Sequence, residues 1–236
     1  MIGHRSPSQR RGKHAAEKPF WISYADLMTA LMVLFLVVMA VALLAVTRTV
    51  SELEKREAEY KADVDNCMAL AVAAAKRHAG VVVSPERKVI DFGDRTRFED
   101  KSSLLSQEQE GVLRRFVPEL LTMIDNATCQ RVLKRIVVEG HTSRTGTYLA
   151  NLNLSLMRSQ RVLCAMFKES GADLLSDAQK LKVRDYFFVG GFAFNSYMNS
   201  DEESRRVEMR IEFWGLDEKR TPPPPAHSSG FGLCSI

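Results

Sequence analysis

The chain has 236 residues, of which 33 are basic and 29 are acidic, and its formal net charge at pH 7 is +4. That length allows one domain of ordinary size together with a membrane anchor. Five basic residues and one acidic residue lie in the first eighteen positions, which leaves 28 of each sign in the remainder. The basic pI therefore reflects the N-terminal tail and does not indicate nucleic-acid binding.

The first predicted element is a membrane-spanning helix within residues 19–48. Residues 27–46 are twenty positions without a charged side chain, and about 1.5 Å per residue gives roughly 30 Å of helix, the thickness of a bilayer core. The basic tail, residues 1–18, predicts a cytoplasmic N-terminus and an exported C-terminal domain. A cleavable signal peptide has a shorter apolar core and a small-residue cleavage site, so we expect an uncleaved anchor.

One carboxylate, Asp26, lies just before the uncharged stretch, close to Trp21 and Tyr24. A charged Asp inside a membrane helix costs from about 2.5 kcal/mol upward. Because apolar surroundings favour the neutral form, this group can bind and release a proton as its surroundings alternate. The alternative is that Asp26 lies at the headgroup level and caps the helix, since Trp21 and Tyr24 are typical of the membrane interface. We expect the hydroxyl of Thr29 to bond back to its own backbone.

Residues 49–80 predict a helical linker that continues out of the membrane, because no Pro or Gly interrupts it before Gly80. A thin apolar stripe at spacings of three and four suits a paired helix in a dimer, with a solvated spacer helix as the alternative. The stripe consists of Val50, Leu53, Glu57, Tyr60 and Val64.

A C-terminal domain is predicted over residues 81–216. Its strands and helices alternate, which indicates the α+β class with a mixed layer. The strands are predicted at residues 88–92, 135–140, 185–194 and 206–213. Residues 217–236 predict a Pro-rich flexible tail.

Two long helices are predicted in this domain. The first covers residues 106–126, has a capping pattern at Ser106 and Gln109, and should be kinked or divided by Pro118. The second covers residues 151–170 and is expected to stop at Gly171. Its expected core face consists of Leu152, Leu156, Leu163, Met166 and Phe167.

The stretch FWISYADLMTALMVLFLVVMAV resembles the transmembrane segment of the MotB class of ion-driven motor subunits. In that class, a Tyr-Ala-Asp core and an apolar run surround one ion-carrying aspartate, and the matching residue is Asp26. The resemblance implies a homodimer in the bacterial inner membrane, surrounded by a polytopic partner of the MotA or ZorA type. The expected transported ion is H⁺, with Na⁺ as the alternative, and no cofactor is expected. In flagellar stator subunits a plug helix occupies the place of residues 49–66, and the sequence leaves open whether these residues act as a plug.

Residues 88–213 resemble the OmpA-like peptidoglycan-binding domain, an α/β sandwich. The resemblance is carried by Phe98 and by the segments VVEGHTSRTG, NLNLSLMRSQRV and RRVEMRIEF. In that family, a cell-wall stem peptide lies between the loop after the second strand and the following helix, and an arginine binds its carboxylates. The peptidoglycan-binding residues implied here are Thr142, Ser143, Asn151, Leu154, Ser155 and Arg158, with Arg205 and Arg206 as further candidates.

The chemistry of these residues fits carboxylate binding, because Arg offers a planar fork of donors to a carboxylate. Ser143 stands where the family has an aspartate, so we expect a weaker site or a different mode of wall recognition. The alternative for Arg158 is a surface arginine on an amphipathic helix, and that for Arg205 and Arg206 is bracing of the fold. His141 is expected to be a hydrogen-bonded loop residue.

All four cysteines follow the membrane span, on the side where a periplasm permits disulfides. Three full pairings are compatible with the sequence. Without a paired CxxC pattern, no zinc site is expected. No nucleophile elbow, P-loop or paired catalytic carboxylates are found, so no catalytic residue is expected. The cysteines are Cys67, Cys129, Cys164 and Cys234.

Together these features predict a proton-conducting, peptidoglycan-anchored subunit of a MotA/MotB-type motor rather than an enzyme. The membrane stretch, the short spacer and Ser143 resemble the B subunits of the Zorya anti-phage defence systems more than flagellar stator subunits. A passive tether between inner membrane and cell wall is the remaining alternative, and Asp26 discriminates, because a tether has no need of an intramembrane acid.

Overall fold

The computed structural model describes residues 20–220, 230–232 and 234. The predicted basic tail, residues 1–18, and most of the predicted Pro-rich tail lie outside the described residues. The chain forms two compact units, the first ending at Lys55 and the second beginning at Arg56. The class is α+β, as predicted, with one long apolar N-terminal helix and a mixed five-stranded sheet.

Helix α1 covers Phe20–Ala75. From Leu27 to Val46 its large apolar side chains are 44–64% exposed on every side of the helix. An all-round apolar surface is typical of a helix that lipid or other helices must cover. Among the described residues, α1 is the one helix whose length and composition would allow it to cross a bilayer.

The C-terminal part of α1, residues 56–75, belongs to the second unit. Val64 is buried in the hydrophobic core of that unit, and Tyr60 packs against the core. Cys67 forms a disulfide with Cys129. Tyr60 and Val64, two residues of the predicted apolar stripe, therefore pack against the core of their own chain, where their apolar surface is removed from water.

The sheet has the strand order β1-β2-β5-β3-β4. Its strands are β1 Val82–Ser84, β2 Val89–Asp91, β3 Leu133–Gly140, β4 Phe187–Gly191 and β5 Val207–Phe213. Strands β3 and β4 are parallel, and the other neighbours are antiparallel, with Val138 opposite Met209. The predicted strands at 88–92, 135–140 and 206–213 are confirmed, and β1 is an additional edge strand.

The helices of the second unit after α1 are α2 Gln107–Asp125, α3 Ala127–Val132, α4 Tyr148–Met166, α5 Asp177–Tyr186 and α6 Asp201–Ser204, with a 3₁₀ turn at Gly93–Thr96. Helix α4 packs on β3 and β4, and α2 packs on α4. On the opposite face of the sheet, β3 and β5 are joined by ion pairs such as Arg135–Glu212, at 2.6 Å.

The capping box of α2 at Ser106 and Gln109 is confirmed, but Pro118 does not divide the helix, which runs through it. A proline removes one backbone hydrogen bond and crowds the preceding turn. The buried face of α2, including Phe116 and Leu120, supplies enough packing to keep the two halves in one helix.

Two further boundaries were predicted wrongly. Helix α4 was predicted to reach residue 170, but it ends at Met166, with Phe167 as its C-cap. Beyond this point the chain turns, and Ala172 O accepts a hydrogen bond from Arg114 Nε at 3.0 Å. Strand β4 covers five residues instead of 185–194. The residues before it form α5, whose capping box has the same Ser-x-x-Gln pattern as that of α2.

The described cysteines form two disulfides, Cys67–Cys129 and Cys164–Cys234. The first connects α1 to α3, and the second connects α4 to the C-terminal segment. The structure thus selects one of the three pairings that the sequence left open.

Candidate functional site

Asp26 lies in the first turns of α1 with an exposed side chain. Thr29 Oγ1 donates to the Asp26 carbonyl at 2.9 Å, as predicted for this hydroxyl. Trp21 and Tyr24, on the same stretch, are 78% and 52% exposed. No ion pair to Asp26 is formed within the described part of the chain, so a partner for this carboxylate would have to come from outside it.

Arg158 is the largest side chain that the second unit buries completely, with 0% exposure. Its Nε donates to Ser102 O at 2.9 Å, its Nη1 to His141 O at 2.8 Å and its Nη2 to Glu99 O at 3.1 Å. A guanidinium group has five N–H donors, so two are left over. The alternative of a surface arginine is wrong, because α4 turns this side chain toward the sheet.

The positive charge of Arg158 has no acidic partner in contact. Among residues 20–220, no carboxylate lies within ion-pair distance of it, and its three hydrogen-bond acceptors are neutral carbonyls. Burial, and then the charge of Arg205, lower the pKa of Arg158 to about 10, against the weaker opposing effect of Asp100. Buried charges are usually paired, so this cation is poised to accept an anion.

Thr142 and Ser143, in the loop after β3, are 1% and 4% exposed. Thr142 donates its backbone N–H to Ala193 O at 2.9 Å. Its hydroxyl oxygen is buried without a hydrogen-bond partner among the described residues. An unsatisfied buried hydroxyl is costly, and here it lies one residue from the carbonyl of His141 that Arg158 binds.

Asn151 and Ser155 shape the site from α4. Asn151 Nδ2 donates to Thr145 O at 2.9 Å and to Thr147 O at 3.1 Å, which fixes the loop before the helix. Ser155 Oγ accepts the backbone N–H of Ala193 at 3.0 Å. Both side chains are therefore engaged inside the protein.

Leu154, the remaining residue of the predicted set on this helix, is half-buried. The structure thus brings all six predicted residues to the junction of α4 with the ends of β3 and β4. Among these six described residues, the buried side chains of Arg158 and Thr142 retain unused hydrogen-bonding groups.

Gly140, the last residue of β3, determines how closely α4 can approach. A Cβ atom at this position would lie 1.8 Å from Ser155 O, far inside the contact distance of any real pair of atoms. Gly191, at the end of β4, meets the same turn of α4, with Ser155 Oγ 2.8 Å from its hypothetical Cβ. The two glycines let the helix backbone lie directly on the strand ends, and this places Arg158 over the sheet edge.

Arg205 and Arg206 make internal contacts. Arg205 Nε donates to Phe98 O at 3.2 Å, and Phe98 N–H donates back to Arg205 O at 2.9 Å. Arg206 Nε donates to Glu208 at 2.8 Å, and its Nη atoms donate to Ser196 O. These contacts favour the bracing role for Arg206, whose charge is neutralised, whereas Arg205 adds positive charge near Arg158.

His141 is 1% exposed, and it is a hydrogen-bonded loop residue, as expected, through its backbone: its N–H donates to Arg206 O at 3.0 Å and its carbonyl accepts from Arg158 Nη1 at 2.8 Å. Its two ring nitrogens are buried without a hydrogen-bond partner among the described residues. Its Nε2 lies 3.7 Å from Glu139 and 3.9 Å from Glu208. Such a group has the composition of a metal-ligand set. Both carboxylates are already bonded to arginines, namely Arg206, Arg210 and Arg87, and this cationic surrounding disfavours a metal ion.

The same arginines determine the ionisation of the two buried glutamates. Burial raises the pKa of Glu208, but the hydrogen bond and charge of Arg206, with His141 and Arg87, outweigh it and hold the pKa below its usual value. Burial likewise raises the pKa of Glu139, and His141 and Arg210 lower it further than burial raises it. Both side chains are therefore anions at neutral pH.

Residues 98–102, which we call the strap, were missed as part of the site, although Phe98 was one of the residues that carried the OmpA-like resemblance. The strap supplies two of the three carbonyls that bind Arg158, and the Phe98 ring lies 4.9 Å from the guanidinium carbon. Backbone carbonyls have no sequence signature, so only the segment's position before α2 pointed to it.

Comparison with known proteins places these features in a family. Residues 4–48 match the family model described as "Membrane MotB of proton-channel complex MotA/MotB". The Zorya protein ZorB of Escherichia coli O139:H28 is 40% identical over 224 residues, covering 93% of this chain and 91% of that protein.

Solved structures with a similar fold include the periplasmic domain of Helicobacter pylori MotB, with 17% identity and a TM-score of 0.42 over 61% of this chain and 85% of that one. The cell wall anchor of the type VI secretion system (T6SS) from Pseudomonas aeruginosa has 20% identity and a TM-score of 0.37 over 60% of this chain and 94% of that one. The extent and identity of the match to the E. coli protein decide the assignment: the chain belongs to the family of the Zorya protein ZorB.

Proposed function

We propose that this chain is the peptidoglycan-anchored, proton-conducting subunit of a MotA/MotB-type inner-membrane motor that serves in Zorya anti-phage defence. The observation that carries the proposal is Asp26, a lone carboxylate that directly precedes twenty uncharged residues of α1. Within the described residues it has no basic partner. A charged side chain in that position costs free energy in a membrane, and residues of this kind usually mark an ion pathway.

The ion path requires a partner, because one helix per chain cannot enclose it. We propose a dimer of this chain inside a polytopic subunit of the MotA or ZorA type, which covers the exposed apolar side chains of residues 27–46. A proton that crosses the membrane binds Asp26 and leaves on the other side. A field of 100 mV supplies about 2.3 kcal/mol per proton, enough to drive a conformational step.

The second unit holds the cell wall in this proposal. Arg158 is the natural ligand for a stem-peptide carboxylate, because it combines an uncompensated charge with two unused N–H donors. Arg205 adds positive potential, and the unsatisfied hydroxyl of Thr142 offers a further contact. Ser143 supplies no carboxylate for the amino group of diaminopimelate, so affinity should depend on the ligand's anionic groups.

The proposed topology has the N-terminus in the cytoplasm and the second unit in the periplasm. The basic tail supports this orientation. Both disulfides lie in the second unit, and an oxidising compartment is where such bonds persist.

Asp26→Asn tests the proposal, since it keeps the shape of the side chain and removes its titration. In vesicles that contain the chain and its polytopic partner, we expect proton flux to fall to the level of vesicles without the chain. In cells, we expect protection against phage to be lost. Asp65→Asn is the matched control, because Asp65 is an exposed acid on the part of α1 that belongs to the second unit, and it should change neither measurement.

If Asp26→Asn retains full flux and protection, the proton-carrying role is wrong, and a passive tether becomes the better account. If it loses flux but retains protection, the chain conducts protons, but defence does not depend on it.

A further inference from the structure

The strap, residues 98–102, closes the site from outside. Glu99, Asp100 and Lys101 face solvent, while the carbonyls of Glu99 and Ser102 accept hydrogen bonds from Arg158 at 3.1 and 2.9 Å. Arg158 is 0% exposed as a result. A ligand therefore cannot reach the guanidinium group while the strap stays where it is.

The strap is fastened at its Phe98 end. There, Phe98 exchanges two hydrogen bonds with Arg205, through its backbone N–H at 2.9 Å and its carbonyl at 3.2 Å, and its side chain is buried in the core. Residues 99–102 make only local bonds apart from those to Arg158: Ser102 N–H donates to Glu99 O at 3.2 Å, and Ser102 Oγ accepts from Leu104 N–H at 3.1 Å. With so few bonds, residues 99–102 can swing away about Phe98 at far lower cost than unfolding the domain.

The strap also contains a strained residue. Lys101 has a φ of +55°, in the left-handed region that non-glycine residues rarely adopt and β-branched residues avoid. That strain raises the free energy of the closed strap and biases it toward opening.

The carbonyls of the strap are imperfect partners for Arg158, because they are neutral and leave its charge uncompensated. A carboxylate presents two acceptor oxygens that carry the opposite charge, and the guanidinium fork can donate two parallel N–H bonds to them. An exchange of two carbonyls for one carboxylate therefore favours the ligand once the strap has moved.

We propose that the strap is a built-in competitor that must leave Arg158 before a carboxylate ligand can bind. The ligand is the carboxylate-bearing stem peptide, so this inference rests on the proposed wall-binding function. Apparent affinity is then the intrinsic affinity reduced by the fraction of molecules whose strap is open.

Two substitutions at Lys101 shift this equilibrium in opposite directions. Lys101→Gly removes the left-handed strain and stabilises the closed strap, whereas Lys101→Val increases the strain and favours opening. Both remove the same charge, so a difference between them reports the backbone. Lys88 has the same φ of +55° in another loop, and Lys88→Gly and Lys88→Val form the matched control pair.

The experiment uses the full-length chain in detergent and has two readouts. The first is the rate at which phenylglyoxal modifies Arg158, located by peptide mass spectrometry. The second is the Kd for a synthetic stem tripeptide that ends in meso-diaminopimelate. For Lys101→Val we expect modification about fivefold faster and binding about fivefold tighter than for Lys101→Gly, since strain of this kind corresponds to roughly one order of magnitude or less in an equilibrium constant.

The outcomes separate this inference from the function on which it rests. If the two Lys101 variants bind the tripeptide equally and expose Arg158 equally, the strap is not a competitor, although wall binding stands. If the Lys88 pair shows the same differences, the effect is general loosening, and the inference is wrong. If Arg158 reactivity differs as expected but no variant binds the tripeptide, the strap stands, and the stem-peptide proposal fails.

Discussion

The two units of this chain treat charge and apolar surface in opposite ways. The first unit exposes every large apolar side chain from Leu27 to Val46, and just before this stretch Asp26 has no ion-pair partner in the described part of the chain. The second unit gathers many of its apolar side chains into a buried core and pairs its buried glutamates with arginines. The first unit thus depends on lipid and protein neighbours for its environment, whereas the second builds its own.

Arg158 connects this contrast to function. The second unit pairs several of its buried charges, such as Arg206 with Glu208 and Arg114 with Glu110, but it gives Arg158 only carbonyls. Asp26 and Arg158 are therefore alike in one respect, since each is a charged group whose partner is not supplied by the described chain.

The largest expected effect tests the difference in apolar burial between the two units. Leu120→Ala removes a fully buried side chain of α2 and should lower the free energy of unfolding by about 4 kcal/mol. Leu36→Ala, at a position that is 54% exposed, should leave unfolding of the second unit unchanged. Urea titration in detergent, followed by the fluorescence of Trp214, measures both. Equal losses would show that the two units do not differ as described.

Loss of the Cys67–Cys129 bridge should be the next largest effect. The bond closes a loop of 62 residues between α1 and α3, and the double substitution to serine should lower the free energy of unfolding by about 3 kcal/mol. Hydrogen exchange at residues 64–75 should increase more than in α2. Serine substitution at both Cys164 and Cys234 is the control, and it should leave exchange at residues 64–75 unchanged.

Arg158→Met should lower the free energy of unfolding by only about 2 kcal/mol. The substitution removes the guanidinium donor from three carbonyls, of which Glu99 O keeps the N–H of Ser102, but it also removes a buried charge that no acid compensates. Arg184→Met, which removes a surface ion pair with Asp185, should cost less than 1 kcal/mol. A loss for Arg158→Met as small as that of the control would mean that its buried hydrogen bonds contribute nothing.

The smallest effect concerns acid pH. Glu139 and Glu208 have pKa values below those of an unfolded chain, so their contribution to stability is complete above the unfolded pKa of about 4.3 and is lost as pH falls through the folded values. Glu208→Gln should flatten the fall in unfolding free energy below pH 4.3. If the free energy of unfolding of Glu208→Gln falls below pH 4.3 as steeply as that of the unchanged chain, the arginine contacts do not lower this pKa.

Much of the fold was predictable because its signals are local. The uncharged stretch of α1, the alternation in β5 and the capping box at Ser106 each require only neighbouring residues. Strand β4 was predicted too long at both ends. Asp185 and Tyr186 are the last residues of α5, which the Ser176–Gln179 capping box begins, and beyond Gly191 the apolar residues Phe192–Phe194 leave the strand, with a φ of +48° at Ala193.

The environment of the site was less predictable. The apolar positions of α4 pointed to Leu156 as a core residue, but it is 43% exposed. The buried face instead includes Asn151, Ser155 and Arg158, because the strand ends offer carbonyls and backbone N–H groups rather than apolar surface. Hydrophobic periodicity cannot detect a helix that buries polar side chains.

Gly140 has a consequence for how such chains can be recognised across large evolutionary distances. Any mutation away from glycine would place a carbon atom 1.8 Å from Ser155 O, so selection should remove every missense codon there while tolerating exchange at Ser143 a few positions later. In an alignment of diverged sequences, that invariant glycine should mark the end of β3 and so fix the position of α4, even where the ligand-contacting residues are no longer similar.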